Sequence, residues 1–368
     1  PRSDRHDPGG GTAAAPHGHG ARAAGGHVMT GKLRVAVLYG AVPANAPPDE
    51  QDALIEAEAV AAALRAHGYQ PLLRAVTTNL DKLQHELLRS RPALAFNLVE
   101  SLNGQGAFIA WVPQLLDRLG IPYTGAGADA QFLTSNKLLA KRWLATHGVA
   151  TPAWSEDGSD AGTGSWIVKS VWEHASIGID DHAIVSGGDT IRARIAQQRE
   201  RYGGTWFAER FVDGREYNIA LLEDATGVRI LPVAEIDFSA FPDGKPRIVN
   251  YAAKWDSEAF EYHHTPRRFI QAGAETALDN TLQVLGRACW QLFGLRGYAR
   301  VDIRIDTRGE PQVLEINTNP CLSPDAGFAA AAAEAGLDFT DLIGHIVARV
   351  RLPDSTTAPA RTQVASLG

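Results

Sequence analysis

From residue 33 onward, short apolar runs alternate with stretches whose apolar positions recur every three to four residues. LRVAVLYG (33–40) is a nearly continuous apolar run and predicts a buried strand. Over 50–67, Leu54, Ala57, Val60, Ala61 and Leu64 fall on one helical face, and Gly68 stands where a helix needs a residue just past its C-cap. Strands are predicted at 72–76 and 93–99, with a helix over 80–89 between them. Strands alternating with helices imply a parallel sheet with helical crossovers, so 31–125 reads as one α/β subdomain.

A second helix is predicted over 135–147, capped by Ser135 and ended by Gly148, with a linker at Pro152. A strand (166–170), a glycine-bearing loop, a helix (190–201) and a strand (205–211) then form a small α+β unit, placing a central subdomain over 126–212. The C-terminal subdomain, 213–352, alternates strands with a long helix (276–292) and ends in two strands (298–306 and 311–317) and two helices. The first 28 residues, rich in Gly, Ala, Pro, His and Arg, have almost no large apolar side chains. Residues 1–30 are therefore expected to be a disordered leader, with Met29 as a start, and 353–368 a disordered tail.

Composition narrows the classes. The chain has 368 residues, 45% of them hydrophobic, beyond the roughly 250–300 at which single cores stop growing. Two or three packed subdomains follow. A net charge of -7 without a block of like charge makes nucleic acid a poor partner. Two distant cysteines, Cys289 and Cys321, build no disulfide framework and suit a reducing compartment. No apolar run approaches the ~20 residues of a membrane helix, so a cytoplasmic protein without a membrane partner is expected.

The most informative stretch is YARVDIRIDTRGEPQVLEINTNP (298–320). Val301, Ile303 and Ile305 alternate with Arg300, Asp302, Arg304 and Asp306, which gives a half-buried strand with one polar face. In the second strand Leu314 and Ile316 alternate with Val313, Glu315 and Asn317. A turn centred on Arg308 and Gly309 sets Asp302 opposite Glu315, and Arg300 opposite Asn317. Facing carboxylates repel, and an all-oxygen set of Asp302, Glu315 and Asn317 suits Mg²⁺ completed by substrate phosphates. The alternative is a surface hairpin whose acids pair with Arg300 and Arg304.

Lys169 ends a strand just before a loop carrying Ser176 and Gly178, and Lys137 sits near the start of its helix. Lysines beside successive backbone N–H groups can cradle phosphate, although each alone reads equally as a surface residue. In WFAERFVDGREYNIALL (206–222), Glu209 and Glu216 bracket a turn at Asp213-Gly214; they could meet a ribose or adenine amine, or belong to an ordinary exposed hairpin. Glu50, with Asp49, stands where it could meet a substrate ammonium or favour the start of its own helix.

Taken in order, Lys137, Lys169, Glu209 to Glu216, Lys254, Arg300-Val-Asp302 and LEINTNP (314–320) resemble the ATP-grasp superfamily, and within it the D-alanine–D-alanine ligase group. GIPYTG (120–125), NKLLAK (136–141) and GYARVDIR (297–304) look like the same group. The resemblance spans roughly 33–350. It implies an α/β and α+β multidomain protein, an ATP-grasp fold preceded by a Rossmann-like subdomain. It also implies a ligase that activates a carboxylate with ATP and Mg²⁺ (or Mn²⁺) and joins it to an amine, with amino-acid substrates and a homodimer built through the N-terminal part. By the same resemblance, Lys137 and Lys169 hold the ATP phosphates. Glu209, Arg210 and Val212 border the adenine, and Glu216 meets the ribose. The Ser176 region closes over the phosphates, and Lys254 reaches the γ-phosphate from a mobile loop. Asp302, Glu315 and Asn317 ligate the metal, and Arg300 stabilises charge on the acyl phosphate.

Departures cluster elsewhere. Where the group carries a His-Gly segment and a Glu-Asp-Gly, this chain has Asn97 to Glu100 and Gly104 to Gly106, with no histidine there. Ala175 replaces a serine, Trp255 a tyrosine and Cys321 a glycine, and Ala326-Gly327 replaces a serine–leucine pair. Glu50, Glu100 and Asp325 are the candidates for substrate contact, Asp325 equally as an N-cap for the next helix. Cys321 has no base nearby in sequence and is a poor candidate nucleophile. Two other readings are a dedicated ligase of some other dipeptide or secondary metabolite, and a catalytically silent ATP-binding sensor or scaffold.

Overall fold

The computed structural model describes residues 32–350 except Ala44 and 271–274, and not the side chain of Asp49. The expected leader and tail lie outside the described residues. The first part runs β1 (Arg34–Gly40), α1 (Pro48–Ala66), β2 (Gln70–Val76), α2 (Leu80–Ser90), β3 (Leu94–Asn97), α3 (Trp111–Leu119), α4 (Ala128–Ser135) and α5 (Lys137–Thr146). Its three strands are parallel, in the order β2-β1-β3. Both faces are covered, which is why β1 reads as a continuous apolar run. Val35 and Val37 face α1, while Ala36 and Leu38 face Leu83 and Leu87 of α2 and Leu116 of α3.

Next come β4 (Trp154–Ser155), β5 (Ser165–Ser170), β6 (Ile184–Ser186), α6 (Gly188–Tyr202) and β7 (Trp206–Arg210). The four strands form an antiparallel sheet in the order β4-β7-β5-β6. Trp166, Val168 and Trp206 on one face pack against Ile191 and Ile195 of α6.

The remainder runs β8 (Gly214–Asp224), β9 (Gly227–Ile230), β10 (Ala234–Ile236), α7 (Tyr251–Trp255), α8 (Phe260–His263), β11 (Arg267–Phe269), α9 (Thr276–Leu292), β12 (Tyr298–Asp306), β13 (Pro311–Asn317), α10 (Gly327–Glu334) and α11 (Phe339–Ala348). These strands form one antiparallel sheet, β11-β10-β8-β12-β13, with β9 also paired to β8. Tyr217, Ile219, Val301, Ile303, Val313 and Ile316 turn one face of it into a core shared with Leu282 and Cys289 of α9. Strand alternation then sends Glu216, Asn218, Arg300, Asp302 and Arg304 to the opposite face.

Four features differ from the sequence reading. The helix expected over 135–147 starts at Lys137; Ser135 closes α4, and the cap is Asn136, whose Oδ1 accepts from the Leu139 N–H at 3.0 Å. Asn caps as well as Ser, and its extended backbone is what separates the two helices. The segments around Asp213-Gly214 are no hairpin, because β7 and β8 belong to different sheets and the chain crosses between them there. Asp302 does pair with Glu315 and Arg300 with Asn317, but Ile303 pairs with Val313. A bulge at Leu314 offsets a turn centred one half-residue earlier than expected, and it returns Val313 to the buried side. Finally, α10 and α11 pack Phe328, Leu342 and Ile346 against Ala57, Val60 and Leu64 of α1, so the C-terminal helices complete the core beside the first sheet.

At the crossing, a Cβ on Gly214 would lie 1.8 Å from the Ile305 carbonyl oxygen on the paired strand. That neighbour is backbone in a ladder and cannot rotate away. Gly214→Ala is therefore expected to cost at least about 2 kcal/mol in urea unfolding, at the upper end of overpacking penalties.

Candidate active site

The polar face of β8, β12 and β13 forms the floor of a cleft of about 670 Å³. All fifteen residues singled out from the sequence line it, contributed by both antiparallel sheets, the start of α1, the loop after β3, the start of α5, the loop after β5, α7 and the segment before α10.

On the floor, Arg300 donates from Nε and Nη2 to the two Asp302 oxygens at 2.7 and 2.8 Å. Asn218 donates to Asp302 Oδ1 at 2.8 Å. Asn317 Nδ2 bridges the facing carboxylates, 3.0 Å from Asp302 and 3.4 Å from Glu315. The alternative of Arg300 and Arg304 both pairing with the hairpin acids is half met, because Arg304 turns instead to Glu216 at 2.7 Å. Burial raises the Asp302 pKa although Arg300 opposes it. Burial would also raise Glu315, but Lys137 and the other cations around it outweigh this and pull it below the usual carboxylate range. An amide N–H between two carboxylates occupies the place a cation would take. Turned over, the same amide would add its oxygen to an all-oxygen set that suits a hard divalent ion. Among the described residues no three His, Cys, Asp or Glu side chains cluster for a metal, so this amide is needed to complete such a set.

Above the floor, Lys137 is buried and Lys169 half-buried, and neither is an ordinary surface lysine. Lys137 is 7% exposed; its Nζ donates to the Glu173 carbonyl at 2.7 Å and lies 3.9 Å from Glu315. Lys169 pairs with Glu209 at 2.7 Å, and Lys141 approaches the other Glu209 oxygen at 2.5 Å. Burial alone would raise the Glu209 pKa, but Lys141 and Lys169 hold it below the ordinary range. Burial lowers Lys137, with Glu315 opposing; for Lys169, Glu209 and Glu315 overcome burial and raise it.

The loop after β5 places two non-glycine residues, Ala175 and Ser176, both at φ 59, in the left-handed region. Gly178 is required at φ 73, where a Cβ would meet the Trp206 ring at 2.4 Å. This loop docks on the segment around α7. Ser176 Oγ donates to the Val249 carbonyl at 2.9 Å, Trp255 Nε1 to the Ala175 carbonyl at 3.3 Å, and the Tyr251 N–H to the Ile179 carbonyl at 3.1 Å. Lys254, expected on a loop, rides on helix α7; burial and then Arg300 lower its pKa.

At one end, Val212 is buried and its carbonyl accepts from Arg304 Nη1 at 2.8 Å, Glu216 is held by Arg304, and Arg210 reaches out to the Thr163 carbonyl. At the other end stand Glu50, Glu100 and Asp325. Asp325 does not cap α10, whose N-cap is Ala326 without a side-chain bond; its carbonyl accepts from Arg267 at 2.8 Å. Asp52 accepts from Cys321 Sγ at 3.0 Å and Ser323 Oγ at 2.9 Å, and Glu56 from the Leu322 N–H at 2.5 Å. Burial, then Glu100, raises the Glu56 pKa well above the usual carboxylate range. Burial and Glu56 raise the Cys321 thiol likewise, which makes it a poor nucleophile.

Several groups were missed in the sequence. Lys141 lies one turn after Lys137 in NKLLAK, and Asn218 lies two residues after Glu216 on one strand face. Glu56 interrupts the apolar stripe of α1. Each spacing was available as a signal. His174 was not marked by any spacing; burial and then Lys137 lower its pKa to about 3.

With this geometry in place, comparison with known proteins is informative. The family profile "D-ala D-ala ligase C-terminus" matches residues 161–348. The chain is 34% identical over 253 residues to a D-alanine–D-alanine ligase of Chromohalobacter salexigens, covering 66% of this chain and 71% of that protein. It is 29% identical over 301 residues to an uncharacterized protein, y4sG, of Sinorhizobium fredii, covering 79% and 86%. Among solved structures, an ATP complex of the Bacillus anthracis D-alanine–D-alanine ligase superposes with a TM-score of 0.66 at 20% identity, covering 86% of this chain and 97% of that one. D-alanyl-alanine synthetase A of Vibrio cholerae gives 0.66 at 16% identity, covering 87% and 98%. These two likenesses show the ATP-grasp fold.

The Lys141–Glu209–Lys169 group generates a stability test. Glu209→Gln leaves buried Lys141 and half-buried Lys169 without their counter-charge and is expected to cost about 3–5 kcal/mol in urea unfolding at pH 7. The folded carboxyl is depressed, so its contribution is fully present above the unfolded value of about 4.3 and is lost as pH falls through the lower folded value. The gap between wild type and Glu209→Gln should therefore narrow only below about pH 4.

Proposed function

This chain belongs to the D-alanine–D-alanine ligase family, and from that premise we propose that its cleft joins two amino acids, or close analogues, through an acyl phosphate. The observation that carries the reading is the facing pair of buried Asp302 and half-buried Glu315, with Arg300 beside it and Lys137, Lys169 and Lys254 in electrostatic range. Lys137 and Lys169 would grip the ATP phosphates; Glu209, Arg210 and Val212 would border the base; Glu216 would meet the ribose. Asp302, Glu315 and, with its amide turned over, Asn317 would hold a divalent ion, whose contribution is neutralisation of phosphoryl charge.

The chemistry follows from what a carboxylate lacks. As an anion with a poor leaving group it resists attack by an amine. Transfer of the γ-phosphoryl group to a carboxylate oxygen expels ADP and leaves a mixed anhydride. The amine then attacks the carbonyl carbon, and the C–O bond to phosphate breaks as the N–C bond forms, with the amine proton leaving on phosphate. Such transfer is governed by positioning and charge neutralisation. Lys254, on a helix latched to the Ser176 loop, would close on the γ-phosphoryl end. Arg300 would stabilise charge developing on the acyl oxygens.

A second reading concerns substrates only: one partner is something other than D-alanine. Asp52 and Glu56 at the amino-acid end, Cys321, and Ala326-Gly327 without a hydroxyl favour it. A catalytically silent nucleotide binder has no observation in its favour.

The deciding experiment is phosphate release with ATP and Mg²⁺ over L- and D-amino acids, singly and in pairs, with mass detection of products. Amino-acid-dependent release with an amide product is expected; ATP turnover indifferent to every acid and amine offered would refute the reading. In the active pair, Arg300→Met is expected to lower kcat by roughly 100-fold or more. Glu315→Gln should both lower kcat and raise the Mg²⁺ concentration for half-maximal rate.

A further inference from the structure

The loop after β5 is accounted for side chain by side chain except at one residue. Glu173 accepts from the Gly106 N–H at 3.2 Å, and Ser176 donates to Val249. Ala175 offers no side-chain donor at all. Between them, His174 lines the cleft with both ring nitrogens buried, and neither has a hydrogen-bond partner among the described residues. Two unmet nitrogens on one ring are unusual, because buried polar atoms are almost always paired. The charged groups that act on the ring are Lys137, Glu315, Lys254 and Arg300, the same side chains that surround the phosphoryl end of the proposed nucleotide site.

We propose that His174 contacts the transferring phosphoryl group, one ring N–H donating to an oxygen of the ATP γ-phosphate. The proposal rests on the nucleotide reading above and adds a residue to it. A neutral imidazole carries one N–H and one lone pair, so a phosphate oxygen satisfies the donor. The imidazole thereby supplies, one residue earlier, a polar contact that Ala175 lacks. The left-handed pair Ala175 and Ser176 fixes the backbone that follows, which keeps the ring over the cleft.

The test compares affinities of the full-length protein, with Mg²⁺, for ADP and for the β,γ-imido analogue of ATP, in wild type, His174→Ala and His174→Gln. Calorimetry is expected to show a loss of roughly 10- to 100-fold for the imido analogue in His174→Ala, the size of one hydrogen bond to a charged group. ADP affinity should stay within about twofold, and His174→Gln, which keeps a donor, should recover part of the loss. The ligand-free His174→Ala protein should melt no lower than wild type, because it deletes unmet polar atoms. Equal losses for both nucleotides, or a fall in Tm with unchanged discrimination between them, would assign His174 a structural role and overturn the proposal. Failure of wild type to bind either nucleotide would instead remove the site assignment itself, and the proposal with it. Should His174→Ala not fold, the Gln variant carries the same comparison: a smaller loss confined to the imido analogue supports the proposal, and equal loss for both nucleotides, or no loss for either, overturns it.

Discussion

Two carboxylates are forced to face each other across β12 and β13 in a buried cleft, and the surrounding chemistry is a response to that constraint. Directly opposed like charges on neighbouring strands repel, and burial strengthens the repulsion by removing water. Arg300, Asn218 and Asn317 answer it with donors on Asp302, and Lys137 stands near Glu315. Three further cations line the same face and need anions of their own: Glu209 pairs with Lys169 and Lys141, and Glu216 with Arg304. The result is a chain of alternating charge running from the floor to the hinge between two sheets. A site of this kind is poised for a polyanion with its counter-ion, because their arrival satisfies both signs together.

Much of this was legible in the sequence, and the reasons differ from residue to residue. Strict alternation in 298–306 located the polar face of β12, because period two leaves few alternatives for a strand. The pairing of Asp302 with Glu315 was also legible, although by compensation: the turn is centred half a residue earlier than expected and the bulge at Leu314 restores the register. Val313 was misplaced for the same reason, since a bulge reverses which side chains point inward. Burial of Lys137 and partial burial of Lys169 were not legible, because a lysine at a helix start or strand end is solvated unless distant residues cover it. Nor was the crossing at Gly214, where two strands separated by a short turn look like a hairpin until their partners are known.

The two ends of the cleft are built differently, and this bears on where such a ligase can change its substrate. Glu216, Asn218, Arg300 and Asp302, on the floor, project from strands whose other faces form the core with α9. Moving Asp302 or Glu216 means moving Val301 or Tyr217, fully buried neighbours, so the geometry there is fixed by packing. At the other end the groups come from the first turns of α1, the loop around Glu100 and the segment from Cys321 to Gly327. Glu50, Asp52 and Asp325 can change with little effect on a core, and Glu56 is the exception, being buried beside Ala57 and Val60. A carboxyl there, with its pKa raised by burial and by Glu100, acts through its bond to the Leu322 N–H, which pins the Cys321 segment to α1. Buried Glu56 and half-buried Asp52 together therefore pin the Cys321–Ser323 segment to α1, and the departures from the family pattern fall on loops and helix ends, where packing permits them.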